Sequence, residues 1–117
     1  MVLDKSNKKL QIVLAGAKAT LDCPVHVSFE DVKRDAVWPP QSVESVTNGV
    51  TIVDICPAPD DSVSRNITEI VVYNRDTAAI TLFIQKDIGG IVYELKKFAL
   101  NPGQSMTYKQ DYVWTVN

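Results

Sequence analysis

The most regular patterning in this chain lies between Asn66 and Thr107. Three apolar-rich runs, Ile67–Tyr73, Ala79–Gln85 and Ile91–Leu100, are separated by NRDTA and KDIGG, and a fourth run follows Asn101-Pro102-Gly103. Runs of this length bounded by Asn, Asp, Gly and Pro predict a four-stranded antiparallel meander. Ile70 and Val72 alternate with Val71 and Tyr73, and Ile80, Leu82 and Ile84 alternate with Thr81, Phe83 and Gln85. The isoleucine and leucine positions are therefore expected to face the core. In the third run Ile91, Tyr93 and Leu95 are odd-numbered whereas Phe98 and Leu100 are even, with Lys96-Lys97 between them. One slip of phase inside a strand predicts a β-bulge there.

The first half repeats the theme less regularly. Residues 1–9 are polar and without period, and read as a flexible or partner-contacting N-terminal arm or as the lead into a strand. Leu10–Leu14 reads as a first strand. From Pro24, Val25, Val27 and Phe29 alternate with His26, Ser28 and Glu30, which gives one buried and one wet face and turns the only histidine outward. The alternation then lapses over Val32–Thr47, where Pro39-Pro40 forbids a regular helix and an exposed loop carrying Trp38 is expected. Asn48-Gly49 is a turn signal, and Val50–Cys56 reads as a strand with aliphatics on both faces. The closing Tyr112–Val116 is aromatic and β-branched, so a last strand is expected, with Trp114 packed on the body of the domain.

About eight strands with turn signals at short, even spacing predict an all-β fold, an antiparallel β-sandwich that is jelly-roll-like. At 117 residues and 13.0 kDa it is expected to form a single domain over 1–117. A chain of this mass buries roughly two-thirds of its unfolded surface, enough for one core without staples. A net charge of −2 with mixed signs offers no basic footprint for nucleic acid, and no apolar run approaches the ~20 residues that span a bilayer. Lys5, Lys8 and Lys9 ahead of a short apolar stretch imitate a signal peptide, but Asp4 and Gln11 interrupt that pattern. Cys23 and Cys56 fit neither a CxxC pair nor zinc spacing, which leaves two buried thiols or one disulfide between neighbouring strands.

Candidate chemistry is sparse, and no catalytic, cofactor or metal motif emerges. A hydrolytic triad needs a base, and His26 is the only histidine available, on an outward strand position. Asp60, Asp61 and Ser62 cluster oxygens without calcium-loop spacing, so they read as a solvated turn. Gly89-Gly90 does not extend to a phosphate-binding loop and reads as a hairpin turn; Glu69 and Glu94 read as outer-face residues. Asn66-Ile67-Thr68 is a formal glycosylation sequon with meaning only in a secreted chain. The aromatic residues Trp38, Tyr73, Phe83, Tyr112 and Trp114 are the interface candidates, since exposed aromatics serve protein interfaces and sugar stacking.

Several of these stretches carry a family resemblance. ITEIVVYNRDTAAITLFIQ, GGIVYELKKFALNPGQSMTY and the closing YVWTV, with Leu10–Ala17, Ser28–Asp31 and the Asn48-Gly49 entry, resemble a β-sandwich domain of small structural proteins of tailed bacteriophages. The resemblance implies a non-enzymatic virion structural protein made in the host cytoplasm: capsid decoration or cement, head fibre, or neck and tail adaptor. It implies the major capsid protein or other virion proteins as partners, and a homo-oligomer, a trimer if it sits at a capsid three-fold. It supplies no active residues. A carbohydrate-binding receptor-recognition module, with Trp38 and Tyr112 stacking on a glycan, is the alternative.

Overall fold

The computed structural model describes residues 1–110 and 113–117. Its strands are β1 (Val2–Leu3), β2 (Lys8–Leu14), β3 (Pro24–Lys33), β4 (Ala36–Val37), β5 (Gln41–Val46), β6 (Val53–Cys56), β7 (Val63–Tyr73), β8 (Ile80–Ile88), β9 (Ile91–Leu100), β10 (Ser105–Lys109) and β11 (Val113–Val116). They form two antiparallel sheets. The larger runs β11-β10-β7-β3, with β4 and β5 both on the far side of β3 and β1 beside β7; the smaller runs β6-β2-β8-β9.

The alternation read from the sequence settles which residues lie between the sheets. Val25, Val27, Phe29, Ile67, Ile70, Val72, Met106 and Tyr108 of the larger sheet meet Leu10, Ile12, Leu14, Ile80, Leu82, Ile84, Phe98 and Leu100 of the smaller one in one buried cluster. Two facing apolar layers are how a sandwich covers both inner faces. The fold is thus an all-β sandwich.

The expected four-stranded meander does not exist as one sheet. β7 and β10 pair with each other in the larger sheet, while β8 and β9 form a hairpin in the smaller one. The chain therefore crosses between layers at Asn74–Ala79 and crosses back at Asn101–Gln104. Alternation cannot distinguish strands lying side by side from strands lying face to face, because both bury the same residues. The crossing is fixed by side chains in the connection. Asn74 is wholly buried; its Nδ2 donates to the carbonyls of Ala78 and Leu100, each at 3.0 Å, and its Oδ1 accepts from the Asp76 amide at 2.9 Å.

Asp76 extends this corner to the loop after β2. Its carboxylate accepts from the amides of Ala19, Thr20, Leu21 and Thr77 and from the Thr20 hydroxyl, at 2.7 to 3.1 Å. The Thr20 hydroxyl and these amides hold its carboxyl well below the usual carboxylate range. The stability it contributes is fully present above about pH 4, the ordinary Asp value, and fades as pH falls toward the depressed folded value. In urea melts from neutral to acid pH, the gap between wild type and Asp76→Asn is expected to be widest at neutral pH and to shrink below about pH 4. A gap that stays constant down to the acid limit would contradict this account.

Three further expectations are corrected. Residues 1–9 are not an arm: Val2 and Leu3 pair with Asn66 and Arg65 of β7, Met1 and Leu3 are buried, and β2 begins at Lys8. Burying two large apolar side chains outweighs the polarity of the stretch around them. Val32–Thr47 is not a plain loop, since β4 and β5 fold back on β3, Val37 beside Val32 and Gln41–Val46 beside Phe29–Pro24. The third strand is shorter than expected, spanning Val53–Cys56, and Val50 and Ile52 are exposed ahead of it.

The phase slip of the third run is a β-bulge: Ile84 pairs with Lys96 and Gln85 with Glu94, leaving Leu95 as the extra residue. The KDIGG turn contracts to Gly89-Gly90, both at positive φ, with Ile88 opposite Ile91. Left-handed conformation at two successive positions is why a two-residue turn requires glycine there. Cys23 and Cys56 are buried and unbonded, and burial raises both thiols, Cys56 to about 11.

Candidate interaction surface

The outer face of the larger sheet carries the densest functional chemistry among the described residues. Its positions are set by register: Pro24 opposite Val46, His26 between Glu44 and Val71, Ser28 between Ser42 and Glu69, and Tyr73 beside Ser105. A shallow groove of about 440 Å³ lies here, with Pro24, Val46, Val71 and Tyr73 as apolar walls and His26 and Glu44 at its polar side. Ser45, also lining it, has a buried hydroxyl oxygen without a hydrogen-bond partner.

His26 anchors a polar chain along this face. Its Nδ1 lies 2.9 Å from Glu44 Oε1, and its Nε2 lies 2.8 Å from Ser28 Oγ and 3.9 Å from Glu69 Oε1. Glu69 in turn pairs with Lys109 of β10. Position i and i+2 on β3 put His26 and Ser28 on one face, which the alternation already implied. Glu69 was expected on an outer face, but its meeting with His26 and Lys109, like that of Glu44 with His26, arrives only through strand pairing, so sequence reasoning missed it.

Ser28, His26 and Glu44 have the spacing of a nucleophile, a base and an orienting carboxylate. Acyl transfer also needs N–H donors aimed at the developing oxyanion. β3 pairs with β5 on one edge and β7 on the other along this stretch, with a register shift between Ser28 and Phe29 that leaves Thr68 of β7 as the extra residue. The hydrogen bonds hold Ser28, His26 and Glu44 together on this face. Activated esters are expected to show no turnover above buffer, and Ser28→Ala no change; ester cleavage lost on Ser28→Ala and on His26→Ala alike would make this group an acyl-transfer site.

The interface candidates do not converge. Tyr73, 41% exposed, lines the groove. Trp38, 46% exposed, sits between β4 and Pro39, with its amide on the Asp31 carbonyl at 2.9 Å. It lies near Val32, whose β7 partner is Ser64, roughly 30 Å along that strand from Tyr73. Phe83 is on the outer face of the smaller sheet beneath Lys97, whose Nζ is 5.7 Å from the ring centre. Trp114 is half-buried against Tyr108, the rings 4.7 Å apart. Tyr112 lies outside the described residues.

A second exposed apolar surface was not anticipated. Ile91, Val92, Tyr93 and Leu95 are all exposed along the first half of β9. The apolar phase of that run was legible, but not that the hairpin reaches past the facing sheet. Among the described residues no group of three or more His, Cys, Asp or Glu could hold a metal ion. No protein-family model, curated protein or solved structure matches the chain.

Proposed function

We propose that this chain is a non-enzymatic structural protein of a tailed-bacteriophage particle, a capsid decoration or cement protein or another head-associated part that works through subunit contacts. The observation that carries the reading is the amount of apolar surface outside the core: the groove around Val71 and Tyr73, the Val37-Trp38 tip and the β9 edge. Separate apolar patches on a small domain mark places where it meets neighbours. The resemblance of its strand and turn sequences to small phage structural proteins supplies the setting, and the major capsid protein or another virion protein the partner. A neck or tail adaptor uses the same contacts at another position.

Mass spectrometry of purified particles is the first test, followed by cryo-EM of those particles for copy number and neighbours. Particles that lack the chain would sink the reading. Trp38, exposed beside two prolines, favours receptor-glycan recognition as the second reading. Saturable binding on a glycan array that disappears in Trp38→Ala would move the assignment there.

A further inference from the structure

The first half of β9 breaks the usual pattern of a sheet edge. Among the described residues β9 pairs only with β8, so its other side is open. Natural edges are blunted with charge, proline or short length. Here Ile91 is 61% exposed and Tyr93 50%, with Val92 and Leu95 exposed between and after them. Within this stretch the one charge is the exposed Glu94, and the Leu95 bulge and the exposed Lys96-Lys97 pair end it. The adhesive part of the edge is therefore confined to Ile91–Leu95.

Ladder geometry then limits how this edge is used. In a two-residue hairpin the residues flanking the turn exchange both backbone hydrogen bonds, so Ile91 points its N–H and C=O at Ile88 of β8. Val92 and Glu94, on the alternate positions, turn theirs outward. An antiparallel partner that matches Val92 to Glu94 and Glu94 to Val92 satisfies all four groups, and a second copy of the same strand offers that match about a two-fold axis at Tyr93.

The geometry points to this edge as the place where two copies of the chain join, β9 against β9, forming one continuous eight-stranded sheet. The side chains are self-complementary in that register. Tyr93 meets Tyr93 of the partner subunit across the axis, an aromatic cross-strand pair. Ile91 meets Leu95 of the partner subunit twice by symmetry, which extends one apolar strip across the junction. Lys96 and Lys97 of each copy fall opposite the other's Gly90 and Gly89. The Asp87 carboxylate sits at that turn, 2.8 Å from the Gly90 amide, so opposite charges meet at both ends. A two-fold contact closes on itself and consumes both sticky edges, which gives a dimer and not a fibre.

This gives the homo-oligomer of the proposed function its interface, and it replaces a three-fold arrangement with a two-fold one. Sedimentation velocity of the purified chain at concentrations on the order of 100 µM is expected to show a dimer. Tyr93→Lys, which sets two like charges face to face, should raise its Kd about 100-fold while leaving the circular dichroism spectrum intact. Should that variant misfold, cysteine pairing decides. Tyr93→Cys should crosslink to its own copy under mild oxidation, and a mixture of Ile91→Cys with Leu95→Cys should form the mixed dimer. Val113→Cys, on the edge of the other sheet, should stay uncrosslinked. A wild-type monomer, a trimer indifferent to Tyr93→Lys, or Val113→Cys crosslinking as readily as Tyr93→Cys would overturn the pairing. A monomeric chain that is still found in particles overturns the pairing alone; a dimeric chain absent from particles overturns only the particle reading.

Discussion

Arg65→Met is expected to destabilise the fold by about 3–5 kcal/mol, because it strands a buried carboxylate. Asp31 and Arg65 face each other across β3 and β7, with Nε and Nη2 on the two carboxylate oxygens at 2.9 and 3.1 Å. The guanidinium also donates to the Pro57 carbonyl and lies 4.2 Å from the centre of the Phe29 ring. These contacts close the end of the sandwich next to Cys56, and the Asp31 hydrogen bonds raise the already high Arg65 pKa further. Methionine fills much of the volume and leaves Asp31 almost fully buried without a cation.

The pair and the single change should behave differently. Replacing a buried ion pair by apolar residues of similar size is often close to neutral, whereas removing one partner is costly. The double variant Asp31→Leu with Arg65→Met is therefore expected to recover most of the loss, measured by urea denaturation against both singles. A cost below about 1 kcal/mol for Arg65→Met would mean that water reaches Asp31 and that the pair behaves as a surface bridge.

Asn74→Ala is expected to cost a similar amount, about 3–5 kcal/mol, for a different reason. It leaves the Ala78 and Leu100 carbonyls and the Asp76 amide without their partner in a buried corner. Each orphaned group costs about 1–3 kcal/mol. Asn74→Asp is the sharper test. It keeps the shape but turns the donor to two carbonyls into an acceptor, so it should be at least as damaging as alanine. If aspartate were tolerated at neutral pH, the corner would not depend on Nδ2, and the crossing between sheets would need another cause.

How much of this was legible in the sequence varies by element. The alternation of Val25, Val27 and Phe29 and of Ile80, Leu82 and Ile84 identified core faces, and these residues are buried. Gly89-Gly90 and Asn101-Pro102-Gly103 marked turns, and the phase slip at Lys96-Lys97 marked the bulge at Leu95. These signals are local: a period of two, a positive φ, one extra residue. The polar chain on the outer face was half legible, since His26 and Ser28 share a strand face, but Glu44 and Glu69 reach them from other strands.

The amino-acid sequence by itself determined that the chain is all-β, which side of each strand is buried and where the turns fall, because those follow from period and backbone preference within a few residues. Tertiary structure alone decided which strands are neighbours. It split the apparent meander between two layers through Asn74 and Asp76, drew Met1 and Leu3 into the core, and carried the β8–β9 hairpin past its cover so that Ile91, Val92, Tyr93 and Leu95 face solvent. Burial depends on what lies opposite, and what lies opposite comes from far along the chain.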